Sequence, residues 1–174
     1  VDPLFPYFGA LLLETGASSP ELRNANYNQV VRTCLDPASE LGPAPLDSIV
    51  LLWRLEDLAE PRDVGALRAA RNQLLDAVAR LHESFAGTII VALPPRPRPF
   101  SEGIVEFARP STLAALWFDT LSRVEALAQT LPNVFCIDLE AIIAGCGEAV
   151  ALDHRKELLY RQPYSDAFYV ACAE

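Results

Sequence analysis

The chain has 174 residues, 51% of them hydrophobic, enough for one domain with a proper core and too few for two ordinary ones. Its net charge of -9 and pI near 4.7 argue against nucleic acid or an anionic membrane as partner, because either would select a basic face.

Residues 3 to 15, PLFPYFGALLLET, place apolar side chains at helical spacing and close on Gly16, which predicts a helix. Leu22 to Tyr27 reads as a short strand, and Gln29 to Leu35 as a short helix ended by Asp36-Pro37. The segment from Asp36 to Asp47 carries Pro37, Gly42, Pro43 and Pro45 and reads as a loop. It delivers the chain to a strand over 48 to 53. There the uninterrupted apolar run Ile49-Val50-Leu51-Leu52-Trp53 is expected to be covered on both faces of a parallel sheet.

Residues 64 to 85 repeat Leu67, Ala70, Leu74, Leu75, Val78, Leu81 and Phe85 at three and four, the pattern of a helix with one face on a sheet. Thr88 to Leu93 is a second apolar strand. Pro94-Pro95-Arg96-Pro97-Arg98-Pro99 follows and can be neither helix nor central strand. A further helix is expected from Ser111 or Thr112 to Leu131, with Leu113, Leu116, Trp117, Leu121, Val124 and Leu127 on one face. Val134 to Leu139 is a third strand, and residues 139 to 145 a short helix closed by Gly145. From Asp153 the chain returns as an Arg-Lys turn, and Ser165 caps a last short helix.

The repeated strand, helix, strand order predicts a single α/β domain. Its expected form is a three-layer α/β/α sandwich on a mainly parallel, doubly wound sheet. In such sheets ligands bind beyond the carboxyl ends of the strands. Three exits would then converge: Arg54 to Asp57, Pro94 to Arg98, and Asp138 to Glu140. Either they form an acid/base or anion site, with Arg54, Glu56 and Asp57 at its centre, or they are the solvated ends that strands commonly have. Arg96 and Arg98, on a proline-stiffened loop, suit a phosphate or carboxylate through bidentate guanidinium contacts, or lie on a merely exposed loop. His154 sits where a hydrolase could place its base, but adjacent Asp153 is poorly placed to orient it, and a surface histidine is the alternative.

No GxSxG, P-loop, dinucleotide fingerprint or HExxH is present. Cys34, Cys136, Cys146 and Cys172 contain no CxxC pair, and His82 and His154 are the only histidines, so reduced thiols and no metal site are expected. With no apolar run of spanning length and no secretory signal pattern, a cytoplasmic location is expected. The chain contains no Met, even at position 1, and is expected to be a segment of something longer.

Five short stretches carry a family resemblance: VDPL at 1 to 4, YNQ at 27 to 29, LDPASEL at 35 to 41, the strand leading into LEDL at 55 to 58, and RQPYS at 161 to 165. In this order and spacing the chain resembles the N-terminal domain of FkbH-like proteins, the HAD-type glyceryl-loading enzymes of polyketide pathways. The resemblance implies an SGNH-hydrolase-like, flavodoxin-like fold joined in cis to a HAD-type catalytic domain. It further implies a part in loading a glyceryl unit from 1,3-bisphosphoglycerate onto an acyl carrier protein, with no cofactor in this domain.

Carried onto that pattern, the oxyanion Asn of the SGNH block falls on Glu56, whose carboxylate would repel a developing oxyanion. The Asp-x-x-His block falls on Arg161-Gln162-Pro163-Tyr164, leaving Asp153, His154 and Ser165 as substitutes for catalytic roles. Asn28, Arg54, Arg96, Arg98 and Tyr164 are then the candidate substrate contacts. The first strand of the fold, which carries the SGNH nucleophile, would lie upstream of Val1. The resemblance favours an accessory recognition domain with a degenerate hydrolase site. An active SGNH-type esterase or acyltransferase and a purely structural spacer are the alternatives.

Overall fold

A parallel sheet needs long crossovers between its strands, and the chain supplies two, each an α-helix. The computed structural model describes residues 9, 10, 13, 21–26, 29–97, 112–160 and 163–173. They fall into two compact units, one of Ala25–Asp138 and the other of Val1–Asn24 with Leu139–Glu174.

In the first unit, α1 (Val30–Leu35) and α2 (Pro37–Leu41) precede β1 (Ser48–Leu51). A single 3-10 turn at Leu55–Asp57 leads to α3 (Val64–Ser84), β2 (Thr88–Leu93), α4 (Leu113–Thr130) and β3 (Val134–Asp138). The sheet order is β1-β2-β3, all parallel, with Ile49 beside Ile89 and Ile89 beside Val134. The α/β architecture and its parallel sheet are therefore as the residue pattern predicts.

Right-handed crossovers between sequential neighbours, β1 to β2 and β2 to β3, place both connecting helices on the same face of the sheet. That face carries Ile49, Leu51, Ile89, Val91 and Val134, all buried. Against it α3 turns Leu67, Leu74, Ala77, Val78 and Leu81, and α4 turns Leu113, Leu116, Trp117 and Val124. Each fully buried aliphatic side chain contributes about 1.5–3 kcal/mol.

On the opposite face Val50 is 38% and Phe135 53% exposed, while Ala92, nearer the strand exits, is fully buried. Among the described residues of this unit, both crossover helices lie on the first face. An unbroken apolar strand reports β-propensity as well as two-sided burial, and the two cannot be separated by pattern.

Local chemistry explains the element ends. Asp63 accepts the Ala66 N–H at 2.8 Å to cap α3, and Thr112 accepts the Ala115 N–H at 3.2 Å to cap α4. Such caps contribute about 1 kcal/mol each. Ser111, the other start expected for α4, lies outside the described residues. The 36 to 47 segment is not all loop. Asp36 accepts the Ser39 N–H, Pro37 takes the first helical position, where its missing N–H costs nothing, and Gly42 at φ 87° ends α2. The strand expected from Leu22 is absent, and residues 21–26 are irregular. Arg23, Asn24 and Asn26 give that segment no apolar face to bury, and Arg23 pairs with Glu21 at 2.7 Å.

At the amino end of the sheet, Asn133 ties the turn between α3 and β2. Its Nδ2 donates to the carbonyls of Phe85 (2.9 Å) and Gly87 (2.8 Å), and its Oδ1 meets His82 Nδ1. Asn133→Ala is expected to cost about 2 kcal/mol, the range for half-buried carbonyls that lose their donor, measured as a lower urea midpoint at unchanged m.

In the second unit, α5 (Leu139–Cys146), α6 (Glu148–Ala151), α7 (His154–Tyr160) and α8 (Asp166–Ala173) follow one another. Gly145 does not stop α5 as its composition suggests; it lies inside the helix, and Gly147 at φ 82° takes that place. The expected Arg-Lys turn after Asp153 is the helix α7. A Leu152 to Tyr164 antiparallel bridge closes the loop between α7 and α8. The helix expected over residues 3 to 15 lies largely outside the described residues, although 9, 10 and 13 are helical.

Candidate functional site

β1 ends at Leu51, and the chain runs through buried Trp53 and Arg54 into the 3-10 turn, which brings Glu56 and Asp57 back toward the guanidinium. Arg54 Nε donates to Asp57 Oδ2 at 2.7 Å and Nη2 to Asp57 Oδ1 at 2.8 Å, a bidentate fork. Glu56 Oε1 lies 3.8 Å from Arg54 Nη1. Three of the residues picked out by the strand-exit argument are therefore one cluster.

Its chemistry is different from that of an open anion site. Both Asp57 oxygens are engaged by Arg54, and one guanidinium faces two carboxylates, so the cluster carries a formal charge of -1. An incoming anion would compete with Asp57 in cis. A developing oxyanion would gain nothing from Glu56 at this position.

The second exit is built by a contact that sequence reasoning missed. Trp117 on α4 donates its indole N–H to the Pro94 carbonyl at 2.8 Å, fixing the start of the proline loop, and Pro94 and Pro95 are buried. The helical spacing had marked Trp117 as a core residue; its polar edge gave no signal of a loop anchor. Trp53 was likewise read only as part of an apolar run. Its Nε1 is buried with no hydrogen-bond partner among the described residues. Arg96 is exposed on the loop. Arg98 and Asn28 lie outside the described residues.

The other candidates belong to the helical unit, where Asp153, Ser165 and Tyr164 have structural tasks. Asp153 Oδ1 accepts the N–H groups of Arg155 and Lys156, both at 3.0 Å, and so caps α7. Ser165 Oγ accepts the Phe168 N–H at 3.3 Å and caps α8. The Tyr164 ring stacks on Phe168 with centroids 4.1 Å apart and meets Tyr169 edge-on at 6.1 Å. The His154 side chain is 83% exposed, with Nδ1 3.6 Å from Glu157 Oε2. Asp153 thus serves the backbone of α7, and the carboxylate beside His154 is Glu157. The adjacency argument anticipated that Asp153 would not orient His154, and the Ser165 cap is as the sequence predicts; only the Asp153 cap had no counterpart there.

The thiols are free, and their settings differ. Burial pushes both Cys34 and Cys172 up to about 12, beyond the reach of nucleophilic chemistry at neutral pH. Cys136 is raised too, first by burial and then by the Glu125 charge, although its residue is exposed on β3. Among the described residues, no group of three or more His, Cys, Asp or Glu could hold a metal ion. No described helix is long and apolar enough to cross a membrane.

No protein-family model matches the chain, and no curated protein does. Among solved structures it is similar to the N-terminal part of the protein BF1531 from Bacteroides fragilis, which contains a phosphatase domain complexed with Mg. The TM-score is 0.78 at 20% identity, over 98% of this chain and 46% of that one. The chain therefore spans about half the length of the solved chain, and the likeness is one of fold.

Proposed function

We propose that this chain is an accessory recognition domain, with a degenerate SGNH-like site, of an FkbH-like protein that loads a glyceryl unit from 1,3-bisphosphoglycerate onto an acyl carrier protein. The observation that carries the reading is that the groups suited to hydrolysis are spent on structure. Asp57 is locked by Arg54, and Asp153 and Ser165 are helix caps. The solved part of BF1531 contains a phosphatase domain and this chain covers 46% of it, which supports a longer parent in which the phosphate chemistry belongs to a neighbouring HAD-type domain. On this reading the domain contributes binding energy for the carrier, while the HAD-type domain supplies the magnesium-dependent steps.

The test supplies the HAD-type domain with 1,3-bisphosphoglycerate and a holo acyl carrier protein, with and without this chain fused to it. The fused chain should lower KM for the carrier about tenfold or more at similar kcat, the signature of uniform binding energy. The purified chain alone should show no turnover of short acyl p-nitrophenyl esters or acyl thioesters above a His154→Ala control. Equal KM with and without the chain would overturn the recognition role. Ester turnover lost in His154→Ala would establish the esterase alternative instead.

A further inference from the structure

In the helical unit, α5 and α8 pack against one another. α5 carries Leu139, Ile143 and Cys146 on one face, and Leu139 and Ile143 are buried. α8 carries Phe168, Tyr169 and Cys172 on one face, all buried. Each packed stripe thus ends on a cysteine in the last turn of its helix. Burial first, and the Cys146 charge second, push the Cys172 thiol up to about 12, and in salt solution a charge acts in this way only on a near neighbour. Cys146 is half-buried and lies between Gly145 and Gly147, where an added Cβ would meet nothing within 4 Å, so a small reagent reaches its sulfur past bare backbone. The other two thiols, Cys34 and Cys136, belong to the first unit.

We propose that Cys146 and Cys172 are a redox-sensitive pair, which a low-molecular-weight disulfide oxidises to a bond that staples α5 to α8. The Cys146 thiolate attacks one sulfur of the small disulfide, forming a mixed disulfide and expelling a small thiolate, which takes up the proton that Cys146 lost. Cys172 then gives up its proton and attacks Cys146 Sγ, expelling the second small thiol. Two protein thiols lose two electrons in all, and one small disulfide is reduced to two thiols. At rest Cys172 is held protonated, so the pair stays reduced until Cys146 is capped. Capping removes the Cys146 charge, and opening of the last turn of α8, the part of a helix that frays most readily, removes the burial. The staple closes a loop that holds α6, α7 and the Leu152 to Tyr164 bridge, and so restrains this stretch against unfolding.

The test incubates the folded chain carrying Cys136→Ser with bis(2-hydroxyethyl) disulfide, a neutral reagent that the net charge of -9 does not repel. Arg155, Lys156 and Arg161 lie between the two cysteines, so trypsin separates them unless they are bonded. The intact mass should fall by two hydrogens with no adduct kept at either cysteine. The digest should hold the Cys146 peptide joined to the Cys172 peptide, a link that reduction removes. The oxidised chain should melt about 5 °C or more above the reduced one. Cys172→Ser should abolish both the link and the rise, and trap the mixed disulfide on Cys146. Cys146→Ser, at the half-buried position, is the second variant and should leave no adduct at Cys172. A lasting adduct on Cys146 beside a free Cys172, a link to Cys34 instead, no reaction at Cys146, or a staple without the rise in Tm overturns the proposal.

Discussion

Gly87→Ala is expected to destabilise the protein by about 3 kcal/mol, at the upper end of the range for overpacking a filled site. A Cβ built at this position falls on the backbone carbonyl oxygen of Asp47, well inside contact, and 2.6 Å from Phe85 Cζ. The half-buried Phe85 ring can swing aside, but the Asp47 carbonyl cannot give way easily. The Asp47 carbonyl accepts the Thr88 N–H at 3.0 Å, the bond that aligns β2 with the start of β1, and Asn133 holds the Gly87 carbonyl at 2.8 Å. Relief of the clash must therefore move a strand. For a domain of this size the loss corresponds to a fall of roughly 6–12 °C in Tm. A melting temperature within about 2 °C of wild type would show that the turn relaxes without disturbing the sheet.

The second large effect is expected at Arg71, which is fully buried between α3 and α4. Its Nη2 donates to Asp119 Oδ2 at 2.7 Å, Nη1 to Thr120 Oγ1 at 3.1 Å, and Nε to Asn72 Oδ1 at 2.9 Å. Removing Asp119 leaves the buried guanidinium without its counter-charge, so Asp119→Ala should cost about 3 kcal/mol. Replacing the cation by an apolar chain of similar length removes the buried charge and leaves the partly exposed Asp119 still paired with Arg123. Arg71→Met should therefore cost less than Asp119→Ala, about 1 kcal/mol. The reverse order in urea titrations would mean that packing of the arginine stem outweighs its charge.

The same pair gives a pH dependence. The Arg71 hydrogen bond, joined by Arg123, holds the Asp119 carboxyl below its ordinary value, with burial opposing. A carboxyl whose folded pKa is depressed binds protons more weakly folded than unfolded. Its stabilisation is complete above the unfolded value near 3.9 and is lost as pH falls through the folded one. Stability of Asp119→Asn should accordingly fall less steeply than wild type below about pH 4.

The contrast between Arg71 and Arg54 shows how far residue type carries. Both are buried arginines paired with aspartate. Arg54 was legible as a candidate because it follows an apolar run and precedes two acids. Arg71 falls on the apolar face of α3, four residues after Leu67 and three before Leu74, but its partner is 48 residues away, and no local pattern reports such a pairing. The cluster at 54 to 57 was found because its members are within three residues of one another, and a 3-10 turn suffices to close it. That Asp57 would be consumed by Arg54 depended on side-chain rotamers and lay beyond the pattern.

The sequence by itself determined the order and kind of the main elements of the first unit. Uninterrupted apolar runs and period-3.6 hydrophobicity, with caps such as Asp63 and Thr112, act within a few residues, and local forces leave local traces. It also determined the acidic character of the chain and the absence of common catalytic motifs. Tertiary structure alone decided which sheet face is covered, because handedness and strand order place both crossovers on one side. It alone decided that Asp153 is a cap and that Leu158 and Leu159 face outward on α7. In each case the outcome depends on which backbone donors, side chains and helix faces meet in space, and distances between such groups are set by packing rather than by position along the chain.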